Sequence, residues 1–251
     1  MISLKSVYNY TVTNGMIMTF AYLHYSTGVY LLPYLIFRNF TMVYLIDYAT
    51  MGRIMYISPT GQYERHVVQS ASAEYLALSL LPTLQPSHGL NLVTFIPLSF
   101  AFEILYDFFF YWGHRISHRL GSSWHKKHHE HVHLMPILVF HNDLLDDLLY
   151  NIVLLILTQR LIHVIYPMSA LEIAMIMTYK VFIEISGHIS CSSGRLCSFP
   201  QYIWLPRFLG IELYADDHAM HHANTRYNFS KRFALWDQVF GTAYIKKKSA
   251  E

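Results

Sequence analysis

Three histidine clusters could do chemistry in this chain. His114 and His118 are spaced H-x3-H; His125, His128 and His129 form H-x2-HH; and, much later, His218, His221 and His222 repeat H-x2-HH. Side chains three or four residues apart share one helix face, so each cluster can aim its rings in one direction. Neutral imidazole binds iron, copper, zinc and nickel alike, which leaves the metal open. The count is more informative: a closed zinc site is complete with four ligands, and the three clusters hold twice that number. A two-metal centre is the economical reading. Single H-x-x-H-H runs also occur as surface or core histidines, but three runs with this spacing point to metal.

The elements that must position these rings follow from the surrounding pattern. Leu98 to His118 reads as one long helix, with Asp107, Tyr111, His114 and His118 on a single stripe. Asp107 is expected to accept a ring proton or to order the site, because metal-bound histidines usually pass their other N–H to a carboxylate or carbonyl. Gly121, Ser122 and Ser123 then break the helix, and a serine caps the next one, which folds the second cluster back on the first. Asp216 and Asp217 precede the third cluster as caps or supporting acids, with Asp217 the stronger candidate. An all-histidine shell offers no negative charge of its own, so nearby acids are expected to help.

Composition sets the compartment. Of 251 residues, 53% are hydrophobic and only 14% charged, with a mean hydropathy of +0.26. No Asp, Glu, Lys or Arg occurs from Ser6 to Phe37, and a membrane span needs about 20 mostly apolar residues. One helix is expected from Gly15 to Phe37, with further spans at Val67 to Leu84, Leu90 to Trp112, Leu148 to Tyr166 and Met168 to Gly187. The fold expected is all-α, an integral membrane bundle of about four spans carrying a cytosolic histidine-rich cap with a di-metal site. Glu74, Glu103, Arg160, Glu172 and Lys180 are ionisable groups within these spans and must face protein, water or the interface. The division expected is 1–99 for N-terminal membrane helices, 100–244 for one integrated catalytic region and 245–251 for a basic tail.

Basic residues flank all three clusters: Arg115, Arg119, Lys126 and Lys127 beside the first two, and Arg207, Arg226, Lys231 and Arg232 beside the third. The positive-inside rule puts all of them on the cytosolic side. A net charge of +2 argues against nucleic acid as a partner. No cleavable signal peptide is read at the N-terminus. Cys191 and Cys197 read as free thiols in a cytosol-facing segment.

The order H-x3-H, H-x2-HH, the isolated His188 after Gly187, H-x2-HH, and the closing Trp236-Asp237-x-x-Phe240-Gly241-Thr242 resembles the fatty acid hydroxylase and sterol desaturase superfamily. The likeness runs from about Phe100 to Tyr244. Acyl-CoA desaturases also carry three histidine boxes, but with a longer stretch between the first two than His118 to His125 allows. The resemblance implies a membrane-bound di-iron oxygenase of the endoplasmic reticulum. It makes ligands of His114, His118, His125, His128, His129, His218, His221 and His222, with His188 as the isolated histidine and His141 as a further candidate. At His141 the chain reads His-Asn-Asp where many members have His-Pro. His131 and His133 are read as solvated, and His24, His66, His88 and His163 as packing or interface residues.

The reaction implied is hydroxylation or desaturation of an unactivated C–H position in a lipid, a sterol being favoured by the short chain. A fatty acyl or alkylglycerol substrate is the alternative. Two iron ions are the implied cofactor, with zinc the metal of a non-redox structural protein or hydrolase. No H-E-x-x-H motif supports the hydrolase. The chain has neither a dinucleotide fingerprint nor a His-Pro-Gly-Gly haem signature, so electrons from NAD(P)H are expected through a separate reductase and a cytochrome b-type carrier.

Overall fold

The computed structural model describes residues 4–28, 31–51, 61–81, 90–189, 199 and 201–244. These residues form helices and loops without a strand. Cys191, Cys197, His88 and the terminal lysines lie outside them.

The charge-free N-terminal stretch forms two helices, α1 (Leu4–Ser26) and α2 (Leu31–Met51), where one was expected from Gly15 to Phe37. The break falls at Thr27-Gly28, where Gly28 takes φ +51°, a left-handed turn that glycine adopts without steric cost. The Tyr34 hydroxyl donates to the Phe20 carbonyl across the turn. Helix α3 (Gln62–Leu80) packs on α2 through a bidentate ion pair, Arg38 Nη1 to Glu74 Oε1 at 3.0 Å and Nη2 to Oε2 at 2.5 Å. That pair answers one ionisable group in the apolar stretches.

Helix α4 (Leu92–Arg119) is the longest, at 28 residues or about 42 Å. Asn91 caps it by accepting from the Val93 N–H. The stripe read from the sequence faces inward, with Asp107, Tyr111 and His114 all buried. Gly121, at φ +61°, ends α4 in a left-handed turn that would strain any β-carbon, and α5 (Ser123–His128) turns back. Ser122 occupies the cap position of α5, but its hydroxyl makes no capping bond.

A 3₁₀ turn (Pro136–Phe140) leads into α6 (Leu144–Asp146), a wider π-helical turn (Asp147–Val153) and α7 (Leu154–Ile165), which run on as one 22-residue helix. Helix α8 (Ala170–Ser186) opens on a capping box between Ser169 and Glu172, so Glu172 is used as a cap. Short helices α9 (Trp204–Phe208), α10 (Ala215–Ala223) and α11 (Leu235–Val239) complete the order. Helices α1 and α8 pack side by side, with Tyr179 donating to Asn14 at 2.7 Å.

Among the described residues two helices, Leu92–Arg119 and Leu144–Ile165, are long and apolar enough to cross a membrane, against the expected four or so. Helix α8 has 17 residues and is buried nearly all round, as a core helix is. Helix α3 is diluted by Gln62, Glu64, Arg65, His66, Gln69 and Glu74. The α6 to α7 helix shows Val153, Leu157, Leu161 and Val164 exposed, at spacings of four, four and three, an apolar stripe on its outer face.

Candidate metal centre

The last two turns of α4 supply His114 and His118; α5 supplies His125 and His128, with His129 at its C-terminal cap; His188 follows α8; and α10 supplies His218, His221 and His222. The fold gathers these rings into two groups. In one, His114, His118, His129 and His221 each place a ring nitrogen within 4.8 Å of the others; His128, His188, His218 and His222 do the same in the second. His125 joins the first group, its Nε2 lying 3.1 Å from that of His129. The groups share a wall where the His129 and His222 rings approach to 4.3 Å.

Hydrogen bonds on the far side of the rings fix which nitrogen faces inward. His114 Nδ1 donates to the Phe229 carbonyl at 2.7 Å, His221 Nδ1 to that of Tyr227 at 2.6 Å, and His188 Nδ1 to that of Glu184 at 2.9 Å. His222 Nδ1 donates to the His131 carbonyl at 3.2 Å. His128 Nδ1 donates to Asn142 Oδ1 at 2.9 Å; the Asn142 amide is oriented by its own bond to the Val139 carbonyl. His125 Nδ1 lies 3.2 Å from both oxygens of Asp146.

A neutral imidazole that donates through Nδ1 keeps a bare lone pair on Nε2. The Nε2 atoms of His128 and His188 therefore oppose each other lone pair to lone pair at 3.3 Å, and His218 Nε2 stands 3.3 Å from His188 Nε2. His118 Nε2 sits 3.2 Å from His114 Nε2 and 3.1 Å from His221 Nε2, and could donate to only one. Such an arrangement suits a cation between the lone pairs. With metal–nitrogen bonds of about 2.0–2.1 Å, neighbouring ligand nitrogens stand about 3.0 Å apart at a right angle and about 3.4 Å apart at the tetrahedral angle. The observed separations fit both groups to metal ions. Burial holds His128, His218 and His221 well below the usual imidazole pKa, with neighbouring histidines adding to the effect and Lys231 next after burial at His218; for His222 burial and then Lys231 bring it down to about 3. Neutral rings are what a metal requires.

The carboxylates named from the sequence serve the backbone. Asp107 accepts the N–H groups of Lys231, Arg232 and Phe233 at 2.8, 2.9 and 3.1 Å, so it ties the turn after the third cluster to α4, while a carbonyl takes the His114 proton. Asp217 accepts from the Tyr214 N–H at 2.9 Å and closes the first turn of α10. Asp146 and Asn142, which do hold the His125 and His128 rings, were not singled out; the signal lay in the polar run from His141 to Asp147. His141 itself stands in a third group, with Glu130 and His131. A hydrogen-bond chain accounts for it. Lys127 approaches His66 at 2.9 Å, His66 approaches His141 at 3.2 Å, and His141 reaches Glu130 at 2.8 Å. His66 and His131 thus take part in side-chain contacts, where packing and solvation were expected.

The closing motif has a structural purpose. Asp237 accepts from the Phe229 and Ser230 N–H groups at 2.8 and 2.9 Å and from the Thr242 hydroxyl at 2.7 Å, which fixes the loop whose carbonyls hold His114 and His221. Trp236 Nε1 donates to the Ile104 carbonyl at 3.1 Å, locking that loop to α4.

Residues 99–242 match the family model for fatty acid hydroxylase. The chain belongs to the fatty acid hydroxylase family. A fatty acid hydroxylase of Lecanicillium sp, VlmA, is 28% identical over 151 residues, 56% of this chain and 40% of that protein. The protein CER1-like 2 of Arabidopsis thaliana is 27% identical over 146 residues, 54% of this chain and 22% of that protein. The match thus covers less than half the length of either relative. No solved structure matches the chain. The fatty acid hydroxylase family membership accords with the paired histidine groups and with two helices able to cross a membrane.

Proposed function

We propose that this chain is a membrane-bound di-iron oxygenase that hydroxylates an unactivated C–H position of an acyl or alkyl lipid. The reaction is R–H + O₂ + 2e⁻ + 2H⁺ → R–OH + H₂O. The observation that carries the reading is the pair of buried histidine groups whose Nε2 lone pairs converge. Iron bound there supplies the dioxygen chemistry, and the protein fixes geometry and excludes water. His114, His118, His125, His129 and His221 would hold one ion, and His128, His188, His218 and His222 the other. Phe110, Val139 and Phe140 give the adjoining cavity an apolar wall suited to a hydrocarbon.

The sterol expected from chain length gives way to an acyl or alkyl chain, since one relative is named a fatty acid hydroxylase. The electrons come from NAD(P)H through a separate reductase and a haem carrier. The endoplasmic reticulum is the membrane we assign, with the site facing the cytosol, in keeping with Arg115, Arg119, Lys126 and Lys127 beside it.

The test is elemental analysis of protein purified anaerobically from iron-supplied cells, followed by reduction and exposure to dioxygen with acyl lipids and sterols. Two irons per chain and an oxygenated acyl lipid are expected. An oxidised sterol would restore the earlier substrate class. Zinc with no product after iron reconstitution would overturn the reading in favour of a non-redox site.

A further inference from the structure

Apart from the paired histidine groups, the fold draws together a third set of metal-binding side chains. Glu130 and His131 follow α5, and His141 ends the 3₁₀ turn at Pro136–Phe140. Helix α3 lays Tyr63 and His66 against them, the Tyr63 hydroxyl 3.3 Å from His131 Nε2 and His66 Nδ1 3.2 Å from His141 Nδ1.

Hydrogen bonds satisfy part of this cluster. With Lys127 donating to His66 Nε2 and His66 Nδ1 to His141 Nδ1, His141 Nε2 carries a hydrogen and gives it to Glu130 Oε2 at 2.8 Å. That hydrogen stands where a cation fits: two metal bonds of about 2.0–2.1 Å at a right angle span about 2.9 Å. His131 has no part in the chain, yet it too brings a ring nitrogen within 4.8 Å of the ligand atoms of Glu130 and His141. His141 is buried, whereas the Glu130 side chain is 58% exposed, so the cluster opens to solvent on its carboxylate side.

We propose that Glu130, His131 and His141 form a third metal site, one that takes up zinc or a similar divalent ion in exchange with solvent. Two imidazoles and a carboxylate suit such an ion, and water on the open side completes four-fold coordination. The carboxylate offsets one of its two charges, which the all-histidine groups do not do. Coordination through Nε2 turns the hydrogen-bond chain round: His141 then donates from Nδ1 to His66, and Lys127, on a half-exposed side chain, swings to solvent. The His131 carbonyl accepts from His222 Nδ1 at 3.2 Å, so the ion also fastens the peptide that orients a ring of the second histidine group.

The test counts metal. Purified full chain in detergent, its buried metal left in place, is dialysed against free zinc, and wild type should then hold about one ion more than Glu130→Gln. Glutamine keeps an oxygen acceptor for His141, so a cluster held only by hydrogen bonds would survive the change, but the charged ligand is gone. His131→Asn should lose the same ion. Equal metal in wild type and Glu130→Gln would overturn the proposal, as would retention of the ion in His131→Asn. Because the count is a difference, it does not depend on which metal the paired groups hold and stands apart from the oxygenase reading. Should a variant also shed metal from the paired groups, wild type decides: about one zinc released by dilute chelator while the remainder stays bound is expected, and no such fraction would overturn the site.

Discussion

At His114, His188 and His221 the ring nitrogen turned away from the site is held by a main-chain oxygen, and at His125 by a carboxylate. Side-chain substitution therefore reaches His125 more directly than the others. Asp146→Asn should weaken metal binding about 10–100-fold while leaving the fold in place, as loss of a partner behind a ligand typically does; a competition titration with a chelator measures it. On the proposed function, His221→Ala takes away one of the rings proposed as ligands and should lower metal content and end oxygen-dependent turnover without displacing the protein from the membrane. The metal-free chain should also be acid-sensitive. His222 titrates near 6.5 when unfolded and at about 3 when buried, so its folded form binds fewer protons. Its contribution is complete above about pH 6.5 and is lost as pH falls towards 3. A melting temperature that stayed flat over that window would refute this. The histidines that the fold gathers were legible in the sequence because their spacing is local. Their carbonyl partners were not, since every residue has a carbonyl and only the fold selects Tyr227 and Phe229.

Helix α4 and the loop after α10 are joined by Asp107, a carboxylate that sequence spacing assigned to the histidine rings. Asp107 looked like a ring partner because it lies two turns before His114; instead three amides of residues 231–233 reach it first. Asp237 does the same for residues 229 and 230. Asp237→Ala would leave two buried N–H groups without acceptors, at about 1–3 kcal/mol each. A fall in melting temperature together with loss of the His114 metal group is expected, and metal content with thermal unfolding would show both. Helix α4 was readable from its apolar run. The break at Thr27-Gly28 was less so, because an uncharged stretch gives no sign of where one helix ends and the next begins.

Over the whole molecule, the two membrane-length helices meet the centre at the same end, α4 by its last turn and the α6 to α7 helix by its first. Their far ends expose Val93, Val164 and Ile165. If that outer face meets lipid, Leu161→Arg should cost about 2.5–3.5 kcal/mol of insertion, read as a loss of the chain from the membrane fraction. Full retention there would place the stripe elsewhere. Each histidine group also draws on segments far apart in the chain: α4, the end of α5 and α10 for one, and α5, the end of α8 and α10 for the other. A bound ion therefore acts as a staple between parts of the polypeptide made at different times, and the pair of staples cannot close until His222 has been synthesised. Ligand binding restricted to the folded state shifts folding by mass action. A cell short of the metal would then carry less of the protein itself, cleared as unfinished chains, and not merely the same amount working more slowly.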